Sequence, residues 1–311
     1  MHALECDRLS KTYTTGVRGK REIHALQDLT LSVGHGEIFS LLGPNGAGKT
    51  TCVKIMLSLT HPTGGSASLL GLPVSDPKAR RKVGYLPENH RFPGYLTGEQ
   101  VLFSFGSLAG VRKAELEART NQLLNVVGMQ DWRKVKVKRY SKGMMQRLGL
   151  AQAMINDPDV IFLDEPTDGV DPVGRKEIRE VLRNLKAAGK TIFLNSHLLS
   201  EVELVSDRVA VLDHGKLLKV GTVDELTVTD SSYTIGIEGT VPEAFITEAT
   251  ARVLGVTIGG EGLIARVPDT GRLNAVIDLL RAHRVAITSI QKQRSTLEES
   301  FINLITKEVQ P

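Results

Sequence analysis

A chain of 311 residues that is 41% hydrophobic and 24% charged has an ordinary globular composition with room for one large domain and a smaller one, and a formal charge of +4 is too slight to argue a nucleic-acid partner. Its two cysteines, Cys6 and Cys52, stand in no CxxC spacing and its eight histidines in no ligand spacing, which argues against a disulfide scaffold or a zinc site and for a reducing compartment. The longest apolar runs, such as Val160–Leu163, are far too short to cross a bilayer, and the N-terminus lacks a signal peptide's apolar region, so the expectation is a cytoplasmic protein that meets a membrane only through a partner.

Residues 1–42 read as strands: Leu29, Leu31 and Val33 alternate with polar residues, and Ile38–Leu42 is a short buried run. Tyr13 has a ring suited to an adenine face or to a half-buried strand position, and the residues alone favour the strand. Gly16–Ile23, with Arg18, Lys20 and Arg21, predicts an exposed basic loop. After a glycine loop comes a helix over Cys52–Leu59, then the turn cluster His61–Gly65 and a strand over Ser66–Leu70. The strand Val83–Leu86 stops at Pro87, leaving Glu88 as a carboxylate just past its end.

From Thr97 the period becomes helical. Thr97 and Gln100 form a capping-box pair for a helix ending near Gly110, and a second helix spans Lys113–Val127. The basic run Arg133, Lys134, Lys136, Lys138 and Arg139 predicts a solvated stretch. Ser141 caps a third helix, with Met144, Leu148, Ala151 and Ile155 on one face, which Asp157-Pro158 stops. The buried strand Val160–Leu163 follows, then a helix from Gly174 to Ala188, the strand Thr191–Leu194, a hairpin over Arg208–Val220 and a short helix at Thr222–Glu225.

Chemistry concentrates at three places. Gly43-Pro44-Asn45-Gly46-Ala47-Gly48-Lys49-Thr50-Thr51 is a G-x-x-x-x-G-K-[ST] loop between a strand and a helix; its backbone N–H groups and the helix dipole suit a phosphate. Lys49 would reach the β- and γ-phosphates and Thr50 would offer a hydroxyl to Mg²⁺. Asp164 and Glu165 end an apolar strand, where open α/β sheets line their ligand crevice; Asp164 is placed to hold Mg²⁺ and Glu165 to orient and deprotonate a water. His197 lies just past another strand end, in reach of a γ-phosphate, although a lone histidine is more often structural.

Tyr140-Ser141-Lys142-Gly143-Met144-Met145-Gln146-Arg147 resembles the signature stretch of ABC transporter ATPases, Leu-Ser-Gly-Gly-Gln followed by Gln and Arg. It departs at Tyr140, Lys142 and Met144 and keeps Ser141 and Gly143, the pair expected to bond the γ-phosphate. With the other motifs the resemblance covers roughly Leu4–Leu226. It implies an α/β P-loop NTPase fold with a mixed β-sheet and a helical subdomain, over residues 1–227 with the helical part at about 89–157. It further implies ATP and Mg²⁺ as ligands, Tyr13 on the adenine, Glu165 as base, Asp168–Asp171 as the loop crossing to a second protomer and His197 as switch histidine. Glu88 stands where the family usually has Gln, and a carboxylate there can still ligate Mg²⁺ or water. Such proteins work as head-to-tail pairs, a homodimer here, beneath polytopic membrane permease subunits at the cytoplasmic face of the inner membrane, without nucleic acid. The alternative, a soluble ATPase of this class acting on nucleic acid or the ribosome, usually carries a long insertion, zinc cysteines or two nucleotide domains.

Residues 228–311 carry no chemical motif. Strands at Tyr233–Ile237, Ile264–Val267 and Val285–Ile290 alternate with helices at Glu243–Leu254 and Gly271–Ala282, which predicts a small α+β accessory domain. Leu297, Phe301 and Ile305 give a last helix one apolar face. This tail, with its Leu-Glu-x-x-Phe pattern at Leu297–Phe301, is similar to those of bacterial exporter ATPases whose membrane protein is a separate chain.

Overall fold

In the computed structural model the described residues are 2–15, 21–227, 232–252, 254–259, 262–267, 269–292 and 296–308. They form two compact units, Met1–Val223 and Asp224–Pro311. The first runs β1 (Leu4–Thr15), β2 (Arg21–Val33), β3 (Ile38–Leu42), α1 (Lys49–Met56), β4 (Gly64–Leu69), β5 (Leu72–Pro73), β6 (Val83–Leu86), α2 (Gly98–Leu108), α3 (Lys113–Val126), α4 (Lys142–Ala153), β7 (Val160–Asp164), α5 (Pro172–Ala187), β8 (Thr191–Asn195), α6 (Leu199–Val205), β9 (Arg208–Asp213) and β10 (Lys216–Thr222).

The runs β3, β7 and β8 are buried at every residue, as strands covered on both faces must be. They sit at the middle of a six-stranded sheet ordered β10-β9-β3-β8-β7-β6, parallel except for the β9–β10 hairpin. Phe193 binds its centre, with ring centroids 5.7 Å from Phe39 and 5.2 Å from Phe162 on the flanking strands. A second, antiparallel sheet, β2-β1-β4-β5, contributes Leu4, Leu9, Leu29 and Leu69 to the core it shares with α1 and the first sheet. Parallel pairing carries a functional consequence: the C-terminal ends of β3, β6, β7 and β8 all lie on one edge, where the connecting loops can meet.

Between β6 and β7 the chain forms the helices α2, α3 and α4, whose Leu102, Leu116, Leu124 and Leu148 are buried. Thr97 and Gln100 close the expected capping box: the Gln100 N–H donates to Thr97 Oγ1 at 3.3 Å, and the Thr97 N–H to Gln100 Oε1 at 2.9 Å. The basic run departs from expectation at one residue. Arg133 is not solvated but half-buried, donating from Nε to Glu99 at 2.9 Å and from Nη1 to Asn121 at 2.7 Å. Lys134, Lys136, Lys138 and Arg139 are exposed. Of the predicted basic loop, Arg21–Ile23 belong to β2, because antiparallel pairing with β1 extends to Thr15↔Arg21; Arg18 and Lys20 lie outside the described residues. The first helix begins at Lys49 rather than Cys52, and Ile155 lies past the end of α4.

The second unit holds α7 (Val223–Thr227), which begins one residue before it, then β11 (Ser232–Glu238), α8 (Glu243–Ala251), β12 (Val256–Gly259), β13 (Gly262–Arg266), α9 (Thr270–Ala282), β14 (Ala286–Lys292) and α10 (Leu297–Glu308). The antiparallel sheet β12-β13-β11-β14 has the order of a split β-α-β unit. Ile235, Leu263 and Ala265 from the strands and Phe245, Val276 and Leu280 from the helices form its separate core. The strand β12 was not expected from the sequence; four residues beside Gly255 carry too short a pattern to separate from a loop.

Candidate active site

The phosphate loop leaves β3 and enters α1 directly. Two of its glycines are required by close backbone approaches. A Cβ at Gly43 would stand 2.3 Å from the Leu212 carbonyl oxygen, and one at Gly48, whose φ is +103°, would stand 2.2 Å from the carbonyl oxygen of Ala25. Gly46 needs only its torsion, φ +85° with open space around it. The Ala47 N–H donates to Pro44 O at 3.1 Å, fixing the turn. Lys49 is buried, with 8% of its surface exposed. Its Nζ donates to Gly43 O at 2.6 Å and to Pro44 O at 3.2 Å, holding the ammonium inside the loop. Burial lowers its pKa, a shift opposed by the negative charges of Glu165, Asp164 and Glu88. Thr50, Asn45 and Gly46 are exposed, with Pro44 and Thr51 half-buried.

Opposite the loop, strand register assembles the carboxylates. Asp164 pairs with Asn195 across β7 and β8, and Asn195 Nδ2 donates to Asp164 Oδ1 at 2.5 Å. Burial pushes the Asp164 carboxyl up to about 6; the Asn195 hydrogen bond and Lys49 pull it down, and Glu165 and Glu88 add to the rise. Asn195 Oδ1 is buried with no hydrogen-bond partner among the described residues. Glu165 lies one step past the strand in a left-handed conformation, φ +52°, uncommon for a residue with a Cβ and concentrated at functional sites. Its N–H donates to Asn195 O at 2.8 Å, and its Oε2 receives the His197 N–H at 3.3 Å and lies 2.8 Å from His197 Nδ1. Burial and the charges of Asp164 and Glu88 push the Tyr85 hydroxyl up to about 12.

The fold thus gathers Lys49, Asp164, Glu165, His197 and the charge of exposed Glu88 at the strand ends. The other candidates lie on other elements, β1 and the start of α4. Tyr13 is a half-buried strand residue paired with Ile23, with Lys11 Nζ 4.9 Å from its ring centroid. Ser141 caps α4, its Oγ accepting from the Met144 N–H at 3.2 Å, and Gly143 lies in that helix's first turn. Among the described residues no hydrogen bond joins either to the Lys49 loop. Sequence reasoning missed Asn195 and Tyr85; a polar residue ending a buried parallel strand, in register with Asp164, was the available signal for Asn195.

A glycine loop closing on a buried lysine at a helix start, facing a strand that ends in two carboxylates, defines a P-loop nucleoside triphosphatase. The ABC transporter family profile matches residues 26–168. An ABC transporter ATP-binding protein of Synechocystis is 40% identical over 303 residues, 97% of this chain and 84% of that protein. The Nod factor export ATP-binding protein I of Burkholderia lata is 37% identical over 289 residues, 91% of this chain and 92% of its own length. A solved ATP-binding subunit of an ABC transporter superposes with a TM-score of 0.64 at 31% identity, over 72% of this chain and 91% of that one. The chain belongs to the ATP-binding subunits of ABC transporters, and is an ATPase. Among the described residues no helix is long and apolar enough to cross a membrane.

Proposed function

We propose that this ATPase powers export through a membrane permease, working as a head-to-tail pair in which the Lys49 loop of one copy and Ser141 with Gly143 of the other hold the same ATP. The observation that carries the reading is a division of parts. Lys49, Asp164, Glu165 and His197 share one electrostatic neighbourhood, while Ser141 stands at the start of α4, engaged in capping its own helix. A half-built pocket needs a second copy to complete it. Residues 1–227 serve as the ATPase domain, with about 89–157 as its helical subdomain, and residues 228–311 as an accessory domain.

In this reading Lys49 exchanges the carbonyls of Gly43 and Pro44 for β- and γ-phosphate oxygens, the loop N–H groups hold the phosphates, and Tyr13 stacks on the adenine. Glu165 accepts a proton from the attacking water as the water oxygen bonds to the γ-phosphorus. The bond from that phosphorus to the bridging oxygen breaks, its electron pair leaving on ADP. His197 and its backbone N–H hold Oε2 of Glu165, leaving Oε1 as the base. The donor set fits Mg²⁺: the Thr50 hydroxyl and the Asp164 and Glu88 carboxylates are hard oxygens. When bound, that ion neutralises charge on the β- and γ-phosphates.

Loss of the γ-phosphate loosens the grip of Ser141 and Gly143, so the pair opens and the helical subdomain passes the motion to polytopic permease subunits at the cytoplasmic face of the inner membrane. Export is supported by the Burkholderia lata relative, whose name records it, and by the Leu297–Phe301 tail. Replacing Glu165 with Gln is expected to trap an ATP-bound dimer on size exclusion; normal turnover by that variant would rule out Glu165 as the base. Co-purification with a polytopic membrane protein tests the partner.

A further inference from the structure

Lys142 is the first residue of α4, where a helix dipole disfavours a cation, and that first turn holds no acidic residue. Its charge is answered from another segment. Lys142 Nζ donates to Asp168 Oδ2 at 2.7 Å, and this bond is the main reason the Asp168 carboxyl sits below its ordinary pKa. The stem of Lys142 lies flat on Gly169: a Cβ there would come 2.2 Å from its Nζ and 2.5 Å from its Cδ. One residue on, buried Val170 lies 3.5 Å from where a Cβ of Gly143 would stand.

The same turn is bound to Glu165. The Asp168 N–H donates to Glu165 O at 3.2 Å. At its far end Asp171 caps α5 through the Gly174 N–H at 2.8 Å, and Arg147 of α4 pairs with Glu177 of α5. A continuous path of contacts therefore runs from Glu165 through Asp168 and Lys142 to Ser141, all within one chain.

We infer that the Lys142–Asp168 pair is a positioning link that yokes Ser141 and Gly143 to the Glu165 turn of the same chain, so that the two ATP sites of a head-to-tail pair are coupled. This rests on the head-to-tail reading above, in which Glu165 of a chain serves the ATP on its own Lys49 while Ser141 of that chain serves the ATP held by its twin. Ordering the Glu165 turn around one nucleotide then places Ser141 for the other, and binding becomes cooperative.

The test uses the full chain with Lys142→Asp, Asp168→Lys and the reversed pair carrying both, read by the Hill coefficient for ATP hydrolysis and by kcat, with ADP binding as the control for folding. The two side chains are 58% and 44% exposed, so the effect is modest: each single variant is expected to move the Hill coefficient toward one and to lower kcat by roughly two- to fivefold. The reversed pair is expected to restore both, and unchanged ADP binding in the single variants, which a merely structural role would not leave intact, separates the link from a loss of fold. Wild-type cooperativity in the singles, or losses that simply add in the reversed pair, would overturn the link. If Glu165→Gln still traps an ATP dimer in that case, the head-to-tail reading stands and only the link falls; if it traps none, both fall.

Discussion

The burial of Asp164 makes a prediction about stability whose sign is set by the fold. Its carboxyl rises from an ordinary 3.8 to about 6, so the folded chain binds that proton more tightly than the unfolded chain. Stability from this group is full below the unfolded pKa and is lost as pH rises through the folded one. A rise of about two units at 1.36 kcal/mol each amounts to about 3 kcal/mol lost by pH 7.5, roughly half of it already by pH 5. Asp164→Asn removes the titration while keeping an oxygen for Asn195 Nδ2. The variant's melting temperature relative to wild type is therefore expected to climb by a few degrees between pH 5 and pH 7.5, measured without nucleotide and with chelator present. A difference that stays flat across that range, or moves the other way, would refute the burial argument. ATP hydrolysis by the variant is expected to fail throughout.

Three further outcomes follow from the same geometry. Gly48→Ala puts a Cβ 2.2 Å from a backbone oxygen at a positive φ; it is expected to cost about 1–3 kcal/mol and to abolish ADP binding, read by thermal shift with and without nucleotide. His197→Ala removes the 2.8 Å contact to Glu165 and is expected to lower kcat by about tenfold or more while leaving ADP affinity unchanged, by coupled assay and calorimetry. Glu165→Gln is expected to convert ATP addition into a stable dimer, scored by elution volume.

What could be read from the residues was whatever local chemistry decides. The glycine loop, the Thr97–Gln100 box, the cap at Ser141 and the two carboxylates closing an apolar strand each announce themselves over a few positions, and each was found in place. What depended on partners distant in sequence stayed hidden. Asn195 meets Asp164 only because two parallel strands share a register, and Arg133 leaves solvent because Glu99 and Asn121 approach it from two helices. Lys142 looked like a plain departure from a motif until Asp168 stood beside it. Tyr13 takes the strand position that its own neighbours in sequence favoured, paired with Ile23.

A head-to-tail pair requires one copy's phosphate loop to meet the other copy's α4, and a cross-link measures that directly. Asn45 and Ser141 are both exposed, while the native Cys6 and Cys52 are buried and do not compete. In a chain carrying Asn45→Cys, Ser141→Cys and Glu165→Gln, a short bis-maleimide that reacts with one thiol at each end is expected to give covalent dimers with ATP and few with ADP. Equal cross-linking with either nucleotide, or none with ATP, would contradict the shared pocket.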